Sequence, residues 1–284
     1  MFFRKKEKEP IVEEKPKLVP LPSDDDGLVE FIQTIKKISG VDLTPKQDVI
    51  KHRLSYFAQA HSIATFRDLS NKILGDSLFR QEALNLVTVN ETYFYRELLQ
   101  LEIAVDFAKS LQGNIRILSA PCSSGDEVYS IGMLISQAGI NIDRVSICGI
   151  DINSDAIKQG EEGIYSARSL HRLSNELRNS FFDPLGKDFK IKKRLLPKCE
   201  YKLVNIFDED FLNLGEFDII FSRNMMIYFD EAYRLKTIER FYKVLKDNGR
   251  MYVGHADLIP NSVLFDKNMI GRVVYYQKAK KYLD

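Results

Sequence analysis

The chain has 284 residues, of which 44% are hydrophobic and 29% charged, so it can bury a substantial core and is predicted to form two domains. Its net charge of +1 excludes a general electrostatic attraction to nucleic acid or to a membrane surface. The cysteines show no C-x-x-C spacing, and neither a signal peptide nor a long apolar span is recognisable, so we expect a cytoplasmic protein.

The first part of the chain predicts a tail followed by helices. Residues 1–26 are rich in Lys, Glu and Pro and poor in apolar residues, so they cannot bury enough surface to fold and are predicted to be disordered. Over 27–89 apolar residues recur at three- and four-residue spacing, which predicts a helical domain whose first helix ends at Gly40. Thr44-Pro45-Lys46-Gln47 has the pattern of a capping box that starts the next helix.

This next helix carries basic residues beside its apolar face. Lys46 and Arg53 are seven residues apart and fall on one stripe, with Lys51 and His52 close by. Basic residues on a helix surface are most often only solvated. The alternative interpretation is a basic face that docks an acidic helical partner.

A polar and aromatic segment joins the helical part to the rest of the chain; its sequence over 90–97 is NETYFYRE. Asn90 is a candidate helix cap, and the aromatic residues are candidates for core contacts between the domains. Arg96 arrives at the domain junction, where ligand clefts tend to form. If it is buried there, it needs a carboxylate or a similar anion as its partner.

Residues 115–129, IRILSAPCSSGDEVY, predict a strand that breaks into a turn of small residues and enters a helix at Asp126 and Glu127. In open α/β sheets such a corner binds nucleotides, because small side chains let backbone N–H groups approach the ligand. The corner lacks G-x-G-x-x-G, which disfavours a dinucleotide. A tight turn in any α/β protein uses similar residues, so this corner alone does not decide the matter.

Later predicted strands also end in polar residues. The second strand, 145–150, ends at Asp151, whose carboxylate suits the hydroxyls of a ribose. The alternative is that Asp151 caps the next helix, but Asn153 is the better candidate for that cap. The third strand, 201–204, ends at Asn205, and the fourth, 217–221, ends at Ser222-Arg223-Asn224. Because the carboxyl ends of parallel strands lie along one edge of a doubly wound sheet, their convergence favours a nucleoside-like ligand.

The remaining elements complete an α/β domain. The insertion between the second and third strands predicts a helix over 170–182 and lysine-rich strands over 189–196. After the fourth strand a long helix is predicted to stop at Asn248-Gly249, followed by a fifth strand over 250–255. Residues 264–265 and 273–276 predict a closing antiparallel pair.

Together these motifs resemble the chemotaxis receptor glutamate methyltransferases, CheR type, over about residues 27–276. The resemblance rests on an ordered set of segments: NETYFYRE at 90–97, SAPCSSGDEVYS at 119–130, GIDI at 149–152, GIY at 163–165, SRNMMIYFD at 222–230 and GH at 254–255. It implies an α/β fold with a doubly wound, Rossmann-like methyltransferase sheet. An N-terminal all-helical, receptor-docking domain would span 27–89, and a methyltransferase domain would span 90–284 with a small β-subdomain inserted at about 165–202.

The resemblance also implies the cofactor and the partners. The cofactor would be S-adenosylmethionine, which leaves as S-adenosylhomocysteine, and no metal is expected. The partners would be cytoplasmic helices of chemotaxis receptors, whose glutamate side chains are methylated to set sensory adaptation. We expect a monomer with no nucleic-acid partner and no membrane insertion.

Site residues follow from the resemblance position by position. Glu127 and Asp151 would hold the amino and ribose groups of the cofactor, and Asn205 the adenine side. Arg96 and Tyr228 are the expected catalytic residues, with Tyr228 facing the sulfonium and the incoming carboxylate. The expected cofactor-binding positions are Asn90, Thr92, Arg96, Ala120, Gly125, Glu127, Asp151, Asn205, Ile206, Arg223 and Asn224.

The sequence departs from the family pattern in places. Val128 stands where proline is usual, Asn153 where a second aspartate is common, and Ala256-Asp257 where Ser-Glu is common. The stretch 182–188 is shorter than in members that bind a receptor's C-terminal pentapeptide. We therefore expect no pentapeptide tether.

The implied methyl transfer to a glutamate needs the protein to position the reactants and needs no proton transfer from it. A glutamate carboxylate has a pKa of about 4.3, so it is ionised at neutral pH and needs no general base. It must lie roughly 3 to 3.5 Å from the methyl group, in line with the departing sulfur, and Arg96 and Tyr228 are expected to orient the reactants. His255 at a strand end is interpreted as structural, since the reaction has no proton to remove.

Two other functions are considered. A catalytically silent module that binds S-adenosylmethionine and signalling partners is the main alternative, and the presence of Arg96 and Tyr228 speaks against it. An RNA methyltransferase is disfavoured by the neutral charge and by the lack of a continuous basic stripe.

Overall fold

A computed structural model describes residues 20–257 and 259–280. Residues 1–19 of the predicted tail lie outside this range. Helix α1 (Asp25–Ser39) begins inside the predicted tail. Just before it, the Asp24 carboxylate accepts hydrogen bonds from the backbone N–H groups of Phe66 (2.8 Å) and Arg67 (3.1 Å), so the chain is already joined to the fold at this point.

The N-terminal part is helical, as predicted. After α1 come α2 (Gln47–Ala60), α3 (Phe66–Gly75) and α4 (Ser77–Val87). Their apolar faces meet in a core in which Leu28, Phe31, Leu54 and Phe66 are fully buried. Gly40 ends α1 in the left-handed conformation at φ 76°, a conformation that costs glycine least.

The predicted capping box does not form. Residues Thr44–Lys46 make a short 3-10 turn, and α2 begins at Gln47 without a side-chain cap. The Thr44 N–H donates instead to the Asp42 carboxylate at 3.0 Å. The helix still starts close to the predicted place, because Pro45 has no N–H to leave unpaired in a first turn.

The second domain alternates strands and helices. Its elements in chain order are α5 (Leu98–Ser110), β1 (Ile115–Ser119), α6 (Asp126–Gln137), β2 (Val145–Asp151), α7 (Ser154–Glu162), β3 (Ile164–Ser166), α8 (Asn175–Phe181), β4 (Phe182–Leu185), β5 (Asp188–Ile191), β6 (Lys198–Leu203), α9 (Glu209–Leu212), β7 (Phe217–Ser222), α10 (Glu231–Val244), β8 (Leu245–Val253), β9 (Phe265–Ile270) and β10 (Val273–Lys278).

The main sheet has seven strands in the order β6-β2-β1-β7-β8-β10-β9. Strands β6, β2, β1, β7 and β8 run parallel, and β10 and β9 close the sheet as an antiparallel pair. The chain leaves β1 on one side through β2 and β6 and resumes on the other with β7 and β8, so the winding reverses beside β1. Ligands of doubly wound sheets bind at such a reversal, and the predicted fold class is confirmed.

Both faces of this sheet are buried. Ile117, Ile147 and Phe221 belong to the core on one face, and Leu118 and Ile220 to the core on the other. Within the described ranges, none of the helices combines the length and apolarity needed to cross a membrane.

The insertion forms a small antiparallel sheet of three strands in the order β3-β5-β4. The helix predicted over 170–182 is shorter, α8. In place of the strands predicted over 189–196, β5 ends at Ile191 and a 3-10 turn follows at Lys193–Leu195. Only Gly186 and Lys187 separate β4 from β5. The β-subdomain is therefore closed at this point by a tight hairpin.

The helix predicted to reach Asn248-Gly249 ends earlier, at Val244. Leu245 is fully buried as the first residue of β8, where it pairs with Phe217. Apolar spacing at 238, 242 and 245 fits a last helical turn as well as an entry into a strand. The local pattern therefore placed this boundary wrongly.

Candidate functional site

A cavity of about 440 Å³ lies at the carboxyl ends of the parallel strands, where the helical domain meets the sheet. The helical domain supplies one wall, which includes Lys46, Val49 and Arg53. Residues just past β1, β2, β6 and β7 supply the other. The predicted site residues that line the cavity are Asn90, Ala120, Asp151, Asn205, Ile206, Asn224 and Tyr228.

The turn after β1 is shaped by a glycine. Gly125 has φ +85°, and a Cβ added there would come within 2.6 Å of the Tyr201 hydroxyl oxygen. The adjacent Ser124 carbonyl accepts a hydrogen bond from the Tyr165 hydroxyl at 2.7 Å. Two tyrosines from the insertion and β6 thus support the small-residue corner from behind, and a larger residue than glycine at 125 does not fit.

Asp151 lies at the end of β2 with 5% of its surface exposed. Its two carboxylate oxygens accept hydrogen bonds from the backbone N–H groups of Ser123 (2.8 Å) and Asn153 (2.9 Å). Burial raises the pKa of Asp151, and these N–H groups oppose the rise. The capping role falls to Asn153, whose side chain accepts from the Ala156 N–H, so Asp151 keeps lone pairs for a ligand.

Glu127 and Arg223 form a buried ion pair next to the cavity. Arg223 Nη1 lies 2.8 Å from Glu127 Oε2, and Ser119 Oγ donates to Glu127 Oε1 at 2.8 Å. Arg223 Nη2 lies 3.5 Å from Glu97 Oε2 and donates to the Arg96 carbonyl at 2.6 Å. Burial raises the pKa of Glu127, whereas the Arg223 guanidinium lowers it. The predicted positions Glu127 and Arg223 are brought together, but neither lines the cavity.

Residues 205–208 leave β6 and turn along the cavity. Asn205 Oδ1 accepts from the Phe207 N–H at 3.0 Å, and Asn205 Nδ2 donates to the Ile38 carbonyl at the end of α1 (2.7 Å). Arg240 of α10 donates to the Ile206 carbonyl at 2.6 Å. Asn205 is therefore a joint between the domains as well as a cavity residue, and the sequence patterns did not single out Arg240.

Tyr228 ends a short 3-10 turn, Met226–Tyr228, after β7. Its carbonyl accepts from the Asp42 N–H of the helical domain at 2.8 Å. Burial raises the pKa of the Tyr228 hydroxyl, and the positive charge of Arg96 opposes this rise. The hydroxyl is therefore protonated at neutral pH and can donate a hydrogen bond.

The segment before α5 holds Asn90, Thr92 and Arg96 in an irregular path in which Tyr95 and Glu97 have positive φ, 60° and 53°. Asn90 caps no helix; its carbonyl accepts from Ser123 Oγ at 3.2 Å. Arg96 is half-buried and donates to the Glu91 carbonyl at 2.8 Å. Among residues 20–257 and 259–280 no carboxylate lies within ion-pair distance of Arg96, so its need for an anionic partner stays a prediction.

Five predicted residues do not line the cavity: Thr92, Arg96, Gly125, Glu127 and Arg223. The hydrogen bond from Arg223 to the Arg96 carbonyl and the ion pair with Glu127 nevertheless join three of them into one network. In the part of the chain that the structure describes, no group of three or more His, Cys, Asp or Glu side chains is arranged to hold a metal ion.

Known proteins match this chain over most of its length. A family model described as "CheR methyltransferase, SAM binding domain" matches residues 90–273. The chain is 46% identical over 253 residues to a chemotaxis protein methyltransferase of Campylobacter jejuni strain 81-176, covering 89% of this chain and 96% of that protein. It is 33% identical over 213 residues to chemotaxis protein methyltransferase 2 of Vibrio cholerae (70% and 74% covered). It is 30% identical over 251 residues to that of Salmonella typhimurium (86% and 87%).

Proposed function

Since this chain belongs to the CheR methyltransferase family and uses S-adenosylmethionine, we propose that it methylates glutamate side chains of chemotaxis receptors and so sets sensory adaptation. The observation that carries this proposal is the composition of the cavity. Its sheet wall presents Asp151 and Asn205, which suit a nucleoside, and its helical wall presents Lys46 and Arg53, which suit an incoming acidic side chain.

The residues present fit the cofactor. Asp151 would accept the ribose hydroxyls, because a carboxylate oxygen that accepts a backbone N–H keeps a further lone pair. The adenine would lie against Ile206 and Asn205. Glu127, the expected partner of the cofactor's amino group, does not line the cavity, but two buried polar atoms next to it, Glu97 Oε2 and Arg223 Nε, have no hydrogen-bond partner among the described residues and would suit the charged amino acid part of the cofactor.

When bound, S-adenosylmethionine supplies an electrophilic methyl group on its sulfonium. The receptor glutamate is ionised at neutral pH, because its unperturbed pKa is about 4.3, and it needs no base from the protein. Arg96 and Tyr228 orient the reactants. The guanidinium of Arg96 has no carboxylate partner among residues 20–257 and 259–280, so its charge is available to an acidic side chain. The protonated Tyr228 hydroxyl can donate to the same carboxylate.

The basic stripe formed by Lys46, just before α2, and Arg53 of α2 is the proposed docking face. Lys46 and Arg53 line the cavity mouth with Val49 between them, which is 66% exposed. The Lys46 amino group lies 5.6 Å from the centre of the Tyr228 ring. A glutamate-bearing helix placed on α2 would therefore bring its acidic side chain towards Tyr228.

Methylation of receptor cytoplasmic fragments with methyl-labelled S-adenosylmethionine tests this function. We expect transfer of label to glutamate as a base-labile ester. Tyr228→Phe should reduce turnover while the dissociation constant of S-adenosylhomocysteine stays unchanged. Unchanged turnover in Tyr228→Phe would discard the role of the hydroxyl. Binding of cofactor and fragments without transfer by the wild type would favour the silent module.

Charge reversal tests the docking face. Lys46→Glu and Arg53→Glu should each raise KM for receptor fragments at least about fivefold, because an acidic partner would now be repelled. Lys243→Glu, an exposed residue of α10, is the matched control. If the control raised KM equally, the effect would come from net charge and not from the α2 face.

We propose that the chain does not bind the C-terminal pentapeptide of a receptor as a tether. The two-residue turn between β4 and β5 supports this, because it leaves no extended loop between these two strands. Calorimetry should detect no binding of a receptor C-terminal pentapeptide, and micromolar binding would contradict the proposal.

We also propose that the protein is a cytoplasmic monomer. Light scattering after size exclusion should give a mass near 32.8 kDa.

A further inference from the structure

One carboxylate holds the backbone that leads to Tyr228. Asp257, in the turn after β8, accepts the Asn224 N–H at Oδ2 (2.5 Å) and the Ile227 N–H at Oδ1 (3.2 Å). The Gly254 N–H also donates to Oδ2, at 3.1 Å. Asp257 therefore ties its own turn to the segment 224–228, which runs from β7 to the cavity.

The segment needs such an anchor. Asn224 has φ 58°, the left-handed conformation that a residue other than glycine adopts at a cost of about 1 kcal/mol or more. Hydrogen bonds to a carboxylate are stronger than those to a neutral acceptor, and both oxygens of Asp257 point at N–H groups. An amide at 257 would place an NH₂ group against one of these donors.

Gly254 makes room for this contact. A Cβ added to Gly254 would lie 2.8 Å from both the Asn224 nitrogen and Asp257 Oδ2. The φ of Gly254 is not positive, so glycine is required here for the close approach and not for its backbone conformation. A methyl group at 254 would therefore separate Asp257 from Asn224 without changing either residue.

We propose that Asp257 is a positioning residue for methyl transfer, which acts through the backbone of 224–227 on Asn224 and Tyr228, with Gly254 making room for it. Asp257 does not line the cavity, whereas Asn224 and Tyr228 do. The far end of the segment is held independently by the hydrogen bond from the Asp42 N–H to the Tyr228 carbonyl. Loss of Asp257 would thus loosen one end of the segment and leave the other attached. The inference rests on the proposed function and specifies how its active site is held.

Asp257→Asn and Gly254→Ala test the idea from two sides. For each we expect kcat with receptor fragments to fall at least about tenfold, since small displacements of reacting groups have large kinetic effects. The dissociation constant of S-adenosylhomocysteine, measured by calorimetry, should change less than about threefold, because Asn224 is the one expected cofactor-binding position that Asp257 holds, whereas Asp151 and Asn205 lie on other strand ends. The kcat of the double variant should be no lower than that of the more impaired single variant, because both substitutions break the same contact. Asp266→Asn, exposed on β9, is the control.

Amide hydrogen exchange separates this inference from the proposed function. The amides of Asn224 and Ile227 should exchange at least about tenfold faster in both variants and not in Asp266→Asn, whether or not the wild type methylates receptors. If wild type transfers no methyl group, the proposed function fails while exchange still tests the anchor. If Asp257→Asn does not fold, Gly254→Ala gives the same readouts. Unchanged exchange in a folded variant, or equal losses of kcat and cofactor affinity, would overturn the inference.

Discussion

Removing Arg223 should destabilise the protein in a way that depends on pH. Arg223 is 3% exposed and lies between two carboxylates, Glu127 at 2.8 Å and Glu97 at 3.5 Å. Arg223→Met keeps a long apolar side chain but leaves two acidic groups facing each other without a cation. Breaking a buried ion pair typically costs about 3 to 5 kcal/mol. For Arg223→Met we expect the free energy of unfolding to fall by about 3 kcal/mol at pH 8, the lower end of this range, because Glu127 can take up a proton and lose its charge.

The direction of the pH effect follows from Glu127. Burial raises its pKa above that of the unfolded chain, and loss of Arg223 raises this pKa further. A raised pKa in the folded state means that stability is retained at low pH and lost as pH rises through that value. The penalty of Arg223→Met should therefore be larger at pH 8 than at pH 5.

Urea unfolding of the cofactor-free chain at both pH values measures this penalty. With a slope of about 3 kcal/mol per M, the midpoint should fall by about 1 M at pH 8. Arg67→Met is the matched control, because Arg67 is 63% exposed and its pair with Glu30 should contribute less than about 1 kcal/mol. Adding Glu127→Gln to Arg223→Met should recover part of the loss. A penalty equal to the control, or independent of pH, would refute the reasoning.

Three further predictions concern the corner after β1 and its neighbours. Burial raises the pKa of Asp126 to about 6, so its own contribution to the stability of the wild type should fall by about 2 to 3 kcal/mol from pH 4 to 7. Asp126→Asn should therefore lose less stability over this range in urea unfolding than the wild type does, by about that amount. Matching pH profiles would be contrary evidence. Gly125→Ala should lower the free energy of unfolding by about 1 to 2 kcal/mol in the same urea assay. Adding Tyr201→Phe should recover part of this loss, because the Tyr201 hydroxyl oxygen lies 2.6 Å from the added Cβ. The absence of any recovery would exclude this clash. Asp151→Asn should weaken S-adenosylhomocysteine binding at least about tenfold in calorimetry, whereas the exposed Asp155→Asn should not; equal affinities would remove Asp151 from the site.

The sequence predicts those features that depend on a few neighbouring residues, such as a polar residue at a strand end or a helix cap. A strand end followed by a polar residue is visible in a few positions, and Asp151, Asn205 and Asn224 do line one cavity. Asn153 is the better cap candidate, because an Asn side chain readily accepts a free N–H in the first turn of a helix, and it caps α7 through the Ala156 N–H. Local patterns were less reliable for element boundaries, as at Thr44, where an Asp42 turn replaces the expected cap.

What the sequence could not provide was pairing over long distance. Glu127 and Arg223 are 96 residues apart, and no local pattern shows that they meet. Asp257 was visible only as a departure from a family pattern, and its hydrogen bonds to Asn224 depend on how two loops cross. Arg96 donates to the Glu91 carbonyl, five residues away, which no charge pattern indicates. A charge pattern indicates that a partner is needed and leaves open which one.

The joints between the domains coincide with the residues that follow the strands. Asn85 of α4 donates to Ser154 after β2 (2.8 Å), Asn205 after β6 donates to Ile38, and Asp42 donates to Tyr228 after β7. Because these strand ends also form the cavity wall, the helical domain cannot shift without shifting that wall. An acidic partner on α2 would therefore meet a preassembled site, so its binding free energy would go into orienting its carboxylate and not into closing the domains.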